Sequence, residues 1–145
     1  MSQESRSIRI RILLALYQKY YGNEGGAPQL TDRIIQEAQL DWVDINILQG
    51  EIIYLKRAGL IEGEYILGVR YPYTISITNG GIDVVQRWLD DFLPFLRKKD
   101  AGKSDQLRAM RSHNFAAMMT EFYEYVRQKP DIIDSFMHEN RNFIF

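Results

Sequence analysis

Apolar residues Ile8, Ile12, Leu16 and Tyr20 recur every four positions, with Leu13 and Tyr17 beside them. That spacing predicts a helix over residues 7–21, with Arg9, Arg11, Gln18 and Lys19 off the stripe and Ser5 or Ser7 able to cap its start. Gly22-Asn23-Glu24-Gly25-Gly26-Ala27-Pro28 then breaks the pattern as a loop. A short second helix is expected over 32–39, with Thr31 as N-cap, Asp32 at the positive end of the dipole, and Ile34, Ile35 and Ala38 as the apolar face. Ile45, Leu48, Ile52 and Leu55 mark the buried stripe of a third helix beginning near Val43 or Asp44 and ending at Ala58. Gly59 follows as the helix-terminating glycine, with Lys56 and Arg57 in the last turn.

Residues 60–67 then have strand character, weakened at Gly63, and residues 68–72 read as a hairpin tip. Tyr73, Ile75 and Ile77 alternate with Thr74 and Ser76, which predicts a returning strand with an apolar inner face. Thr78 caps a fourth helix reaching about Arg97, striped by Ile82, Val85, Leu89, Phe92 and Leu96; Pro94 should kink or shorten it. Lys98-Lys99-Asp100-Ala101-Gly102-Lys103 reads as a linker. A long fifth helix is expected over 105–128, capped by Ser104 and striped by Leu107, Met110, Phe115, Met118, Phe122 and Val126. Pro130 ends it, and residues 131–138 can add one or two turns. The implied organisation is a first domain over 1–97, a linker over 98–104 and a C-terminal helical segment over 105–145.

A chain of 145 residues suits one domain with an appendage, and 46% hydrophobic content argues against extensive disorder. The absence of cysteine excludes disulfides and thiolate metal sites. No apolar run reaches the ~18 residues of a membrane span, and the polar start is unlike a signal peptide, so a soluble cytoplasmic protein is expected. A net charge of −1 counts against a strongly basic nucleic-acid binder but leaves room for a local basic face.

Two motifs sharpen the picture. Leu55-Lys56-Arg57-Ala58-Gly59-Leu60-Ile61 is a helix that stops at a glycine and runs into a strand. Ile77-Thr78-Asn79-Gly80-Gly81-Ile82-Asp83-Val84-Val85 is a strand that passes into a helix through a capping threonine, with Gly81 allowing close packing. In this order, a hairpin apart, they resemble the winged-helix superfamily, especially the MarR-like and PadR-like transcriptional regulators. The resemblance covers about residues 7–97. It implies an α+β, mostly α fold: a winged helix-turn-helix of three helices plus a β-hairpin wing, here with additional C-terminal helices.

The resemblance also implies double-stranded DNA as partner, with the third helix in the major groove and the wing on backbone or minor groove. Asn46, Gln49, Gly50 and Ile53 then become the base-reading face, since Asn and Gln can pair with adenine. Arg70 falls at the wing tip, and Arg9, Arg11, Arg33, Lys56 and Arg57 are candidate phosphate contacts. Asp41, Asp44 and Glu51 lie on or beside the same helix and would repel phosphates unless turned away. Acids on the shared surface would instead favour a winged helix used for protein contact.

Regulators of this class commonly dimerise through C-terminal helices. Met110, Phe115, Met118, Phe122 and Val126 are the candidate homodimer contacts, with packing within the chain or a small-molecule effector pocket as the other uses of that surface. No enzyme, metal or cofactor is expected: His113 and His138 have no spaced partners, Asp90 and Asp91 are adjacent, and no phosphate loop or nucleophile motif occurs.

Overall fold

The computed structural model describes residues 2–22, 25–66, 72–143 and 145, with side chains from residue 5 onward. The fold is α+β and dominated by helices. In chain order the elements are α1 (Ser2–Tyr20), β1 (Gln29–Leu30), α2 (Thr31–Glu37), α3 (Ile45–Arg57), β2 (Ile61–Glu64), β3 (Thr74–Ile77), α4 (Asn79–Lys99), α5 (Ala101–His113), α6 (Phe115–Gln128) and α7 (Asp131–Glu139). They form two compact units, residues 1–85 and 86–144, with Phe145 grouped with the first. The boundary falls inside α4, well before the expected linker at 98–104.

In the first unit, α1 packs on α2, α3 and β3. The three strands form an antiparallel sheet in the order β1-β3-β2. Ile61 opposes Ile77 and Gly63 opposes Ile75, so one sheet face is apolar; Glu62 and Glu64 oppose Ser76 and Thr74 on the other. Ile34, Leu48, Ile52, Leu55, Ile61 and Ile75 are buried together with most of α1.

Strand β1 was not expected. It is only two residues long, and its partner β3 lies far along the chain (Gln29 opposite Ile75, Leu30 opposite Thr74). The neighbouring Thr31 is correspondingly not a helix cap. It is the first residue of α2, its Oγ1 donates to the Pro72 carbonyl (2.7 Å) and its N–H to the Tyr73 carbonyl (3.0 Å). Tyr73, expected to face inward, precedes β3 and is exposed.

The two sequence motifs meet. At the end of α3, the Gly59 N–H donates to Lys56 O and the Leu60 N–H to Leu55 O, a Schellman closure that needs the left-handed φ of +78° at Gly59. Thr78 Oγ1 accepts from the Gly81 N–H (3.1 Å) and donates to Gly59 O (2.6 Å), so one hydroxyl caps α4 and ties it to the turn after α3. A Cβ at Gly81 would strike the Leu60 carbonyl oxygen and Ile77 Cγ1.

The second unit is built on rings. Trp88 stacks on Phe92 (4.6 Å between centroids), and Phe122 and Phe136 meet both edge-on. The Trp88 indole N–H donates to Met137 Sδ (3.3 Å), which satisfies a fully buried donor. Pro94 does not shorten α4, which runs two residues past Arg97.

The expected linker and long fifth helix are resolved differently. Only Asp100 interrupts helix between 98 and 104, because its carboxylate caps α5 through the Lys103 N–H (3.1 Å). Ser104, expected as the cap, is buried and donates to Leu93 O (2.9 Å). Asn114, with extended backbone, divides the predicted 105–128 helix: its N–H closes α5 onto Met110 O and its side chain caps α6 through the Ala117 N–H.

Candidate nucleic-acid interface

Helix α3 is anchored along Leu48, Glu51, Ile52 and Leu55, all buried. At 3.6 residues per turn the opposite arc carries Asn46, Gly50, Ile53 and Arg57, flanked by Gln49 on one side and by Ile47 and Tyr54 on the other. The four residues expected to read bases therefore share one surface of α3. Asn46, Gly50 and Arg57 are exposed, and Gln49 and Ile53 half-buried.

The acids are disposed of by two different means. Glu51 turns inward, where Arg9 of α1 meets it with two nitrogens (Nε–Oε2 3.2 Å, Nη2–Oε1 3.3 Å) and stacks on the Tyr54 ring at 3.6 Å. The two side chains are only 18% and 10% exposed. Asp44 accepts the Asn46 N–H (2.8 Å) and caps α3, so its charge sits on the favourable end of the helix dipole. Asp41 is exposed before the helix, and Glu62 and Glu64 are exposed on β2.

The same bonds change the expected cations. Arg9 is committed to Glu51, and Arg11 is half-buried. Arg33 is exposed but sits 3.6 Å from Glu37, which also takes Lys19 at 2.9 Å. Lys56 lies over the Tyr65 ring (4.2 Å), and Arg57 is exposed. Arg70 lies outside the described residues. Of the expected cations among the described residues, Lys56 and Arg57 are the two that α3 itself carries, both in its last turn.

No protein-family model, curated protein or solved structure matches this chain.

Part of the surface was missed in the sequence pattern. Trp42 is 73% exposed, Ile45 46%, Ile47 41% and Tyr54 40%. By spacing Ile45 belongs to the buried stripe, but it sits at its edge, where α3 begins, and is exposed. Ile47, like Ile53, fits no stripe with Leu48 and Leu55, a legible sign that this helix is apolar outside as well as inside. Trp42 is fixed rather than loose: its indole N–H donates to Gln39 O (2.9 Å), and Gln39 itself holds a left-handed φ of 59° at the end of α2.

Of the candidate dimer contacts, Met118, Phe122 and Val126 are buried, Phe122 against the rings of Trp88 and Phe92. Met110 and Phe115, beside the break at Asn114, keep partial exposure. Among the described residues no three His, Asp or Glu side chains are grouped to hold a metal, and no helix is long and apolar enough to cross a membrane.

Proposed function

We propose that residues 1–85 are a winged helix that binds double-stranded DNA, with α3 in the major groove and the β2–β3 hairpin as the wing. In this reading the protein is a homodimeric transcriptional regulator. The observation that carries the reading is the removal of Glu51 from the outer face of α3 by Arg9. It leaves an uncharged, hydrogen-bonding arc of Asn46, Gln49 and Gly50 that ends in Lys56 and Arg57. The order helix, strand, helix, helix, two-stranded hairpin agrees with this, as do the two architectural motifs that meet at Thr78. Two half-sites need two readers, so dimerisation belongs to the proposal. Anisotropy titration of the protein against its own upstream DNA tests it. Specific binding should weaken as salt rises, by roughly 0.9 log unit per log unit of salt for each phosphate contacted. Affinity no better than for random duplex, without salt dependence, removes the proposal.

The exposed Trp42, Ile45, Ile47 and Tyr54 favour a second reading, a winged helix whose α3 face meets another protein. A native pull-down should then recover a stoichiometric partner, lost on Trp42→Ala. Recovery of a homodimer alone would count against it.

A further inference from the structure

The chemistry of the α3 face restricts which base pairs it can address, and from it we infer that the duplex it reads is rich in A·T pairs, with thymine methyl groups as principal contacts. This rests on the DNA-binding proposal and goes further by naming the sequence class.

Guanine is read by Arg or Lys paired to O6 and N7, and cytosine N4 by a carboxylate. The first three turns of α3 present neither. The one carboxylate there, Glu51, is buried against Arg9, and Asp44, the N-cap just before the helix, is held through one oxygen on the Asn46 N–H. Lys56 and Arg57 stand in the last turn, remote from the N-terminal residues that such a helix directs at base edges.

What remains are two amides, three isoleucines and Tyr54, whose ring is taken by the Arg9 guanidinium. The side chains of Asn46 and Gln49 have no bond to the rest of the described chain, so their donors and acceptors are free to match adenine N6 and N7. Ile45 and Ile47 are exposed in the first turn and Ile53 is half-buried two turns on. Apolar side chains displayed on a helix otherwise cost solubility, and the major groove offers one apolar group, the thymine C5 methyl.

Gly50 fits the same use. It lies mid-helix with ordinary backbone angles, and a Cβ there would meet nothing within 4 Å, so the fold has no need of a glycine. A missing side chain at the centre of the arc lets the helix backbone come close to base edges.

Selection from a random-core duplex library, followed by replacement of thymine by uracil in the selected duplexes, tests the inference. Cores rich in A·T should be enriched, and each contacted methyl lost should cost about fourfold in affinity, from ~0.8 kcal/mol per buried carbon, at unchanged salt slope. Ile53→Ala and Ile47→Ala should each lose a similar factor on thymine duplexes and show no further loss on uracil ones. That coupling would not arise if only groove shape were read. Enrichment of G·C cores, or indifference of the wild-type protein to uracil, overturns the inference while leaving DNA binding intact. No enrichment and no salt-dependent binding overturns the DNA-binding proposal with it.

Discussion

Replacing Gly50 with alanine should move folding stability and DNA affinity in opposite directions. The residue sits near the middle of α3, its φ is not positive, and the space a Cβ would occupy is open. Alanine therefore gains the full helix-propensity difference of about 0.8–1.0 kcal/mol, with no clash to set against it. For a chain near this size that is roughly 2–4 °C in Tm, or a higher denaturant midpoint at unchanged slope. In the proposed DNA complex the new methyl would stand between the helix and the base edges. Overpacking a close contact costs about 1–3 kcal/mol, a loss of roughly 5- to 150-fold in affinity. Urea unfolding by circular dichroism and anisotropy on a selected duplex measure the two effects. If Gly50→Ala destabilises the protein, the glycine serves the fold and its openness has been misread. If it stabilises the protein and leaves affinity untouched, the α3 face does not approach DNA closely.

Arg9→Ala should destabilise the first unit by about 2–3 kcal/mol, because it strands the Glu51 carboxylate in a mostly buried site. The double variant Arg9→Met, Glu51→Leu should recover most of that loss, and a double variant no better than the single would refute the buried-charge explanation. Gly81→Ala should cost roughly 1–3 kcal/mol through the Leu60 carbonyl, whereas Gly102→Ala, on open helix surface, should be neutral or stabilising; equal effects in thermal melts would undo the contrast. Burial, and then the charge and hydrogen bond of Asp100, raise the Tyr125 phenol above its ordinary 10.0. Its contribution is therefore complete below pH 10 and is lost as pH rises through the folded-state value. Tyr125→Phe should flatten that alkaline decline, and parallel wild-type and variant stability curves above pH 10 would contradict it.

The turn from α3 into β2 and the entry to α4 were legible because their causes are local. Gly59 closes α3 onto carbonyls three to five residues back, and Thr78 caps an amide three residues on. The stripes of α2 and α4 were legible for the same reason, since periodicity is written within a dozen residues. The break at Asn114 had a local cause too, a side-chain cap for Ala117, but the apolar stripe runs across it and concealed it. The Asp100 cap was hidden likewise, in residues that by composition look like a linker.

The remainder was decided by partners distant in sequence. The β1 strand exists only because β3 lies beside it, and Thr31 turned from cap to cross-link because the Pro72 carbonyl stands over it. Arg9 looked like a phosphate contact and Glu51 like a repulsive acid, and across 42 residues they cancel each other. Phe122 has the spacing of a dimer contact, and the rings of Trp88 and Phe92 meet it edge-on within the chain. Sequence alone determined the end of α3 at Gly59 and the start of α4 at Thr78, where near neighbours satisfy the backbone and no apolar stripe runs across the boundary. The tertiary structure decided which charges are left on the surface, because a charge is cancelled by whatever the fold brings within about 3 Å of it, and spacing along the chain carries no record of that.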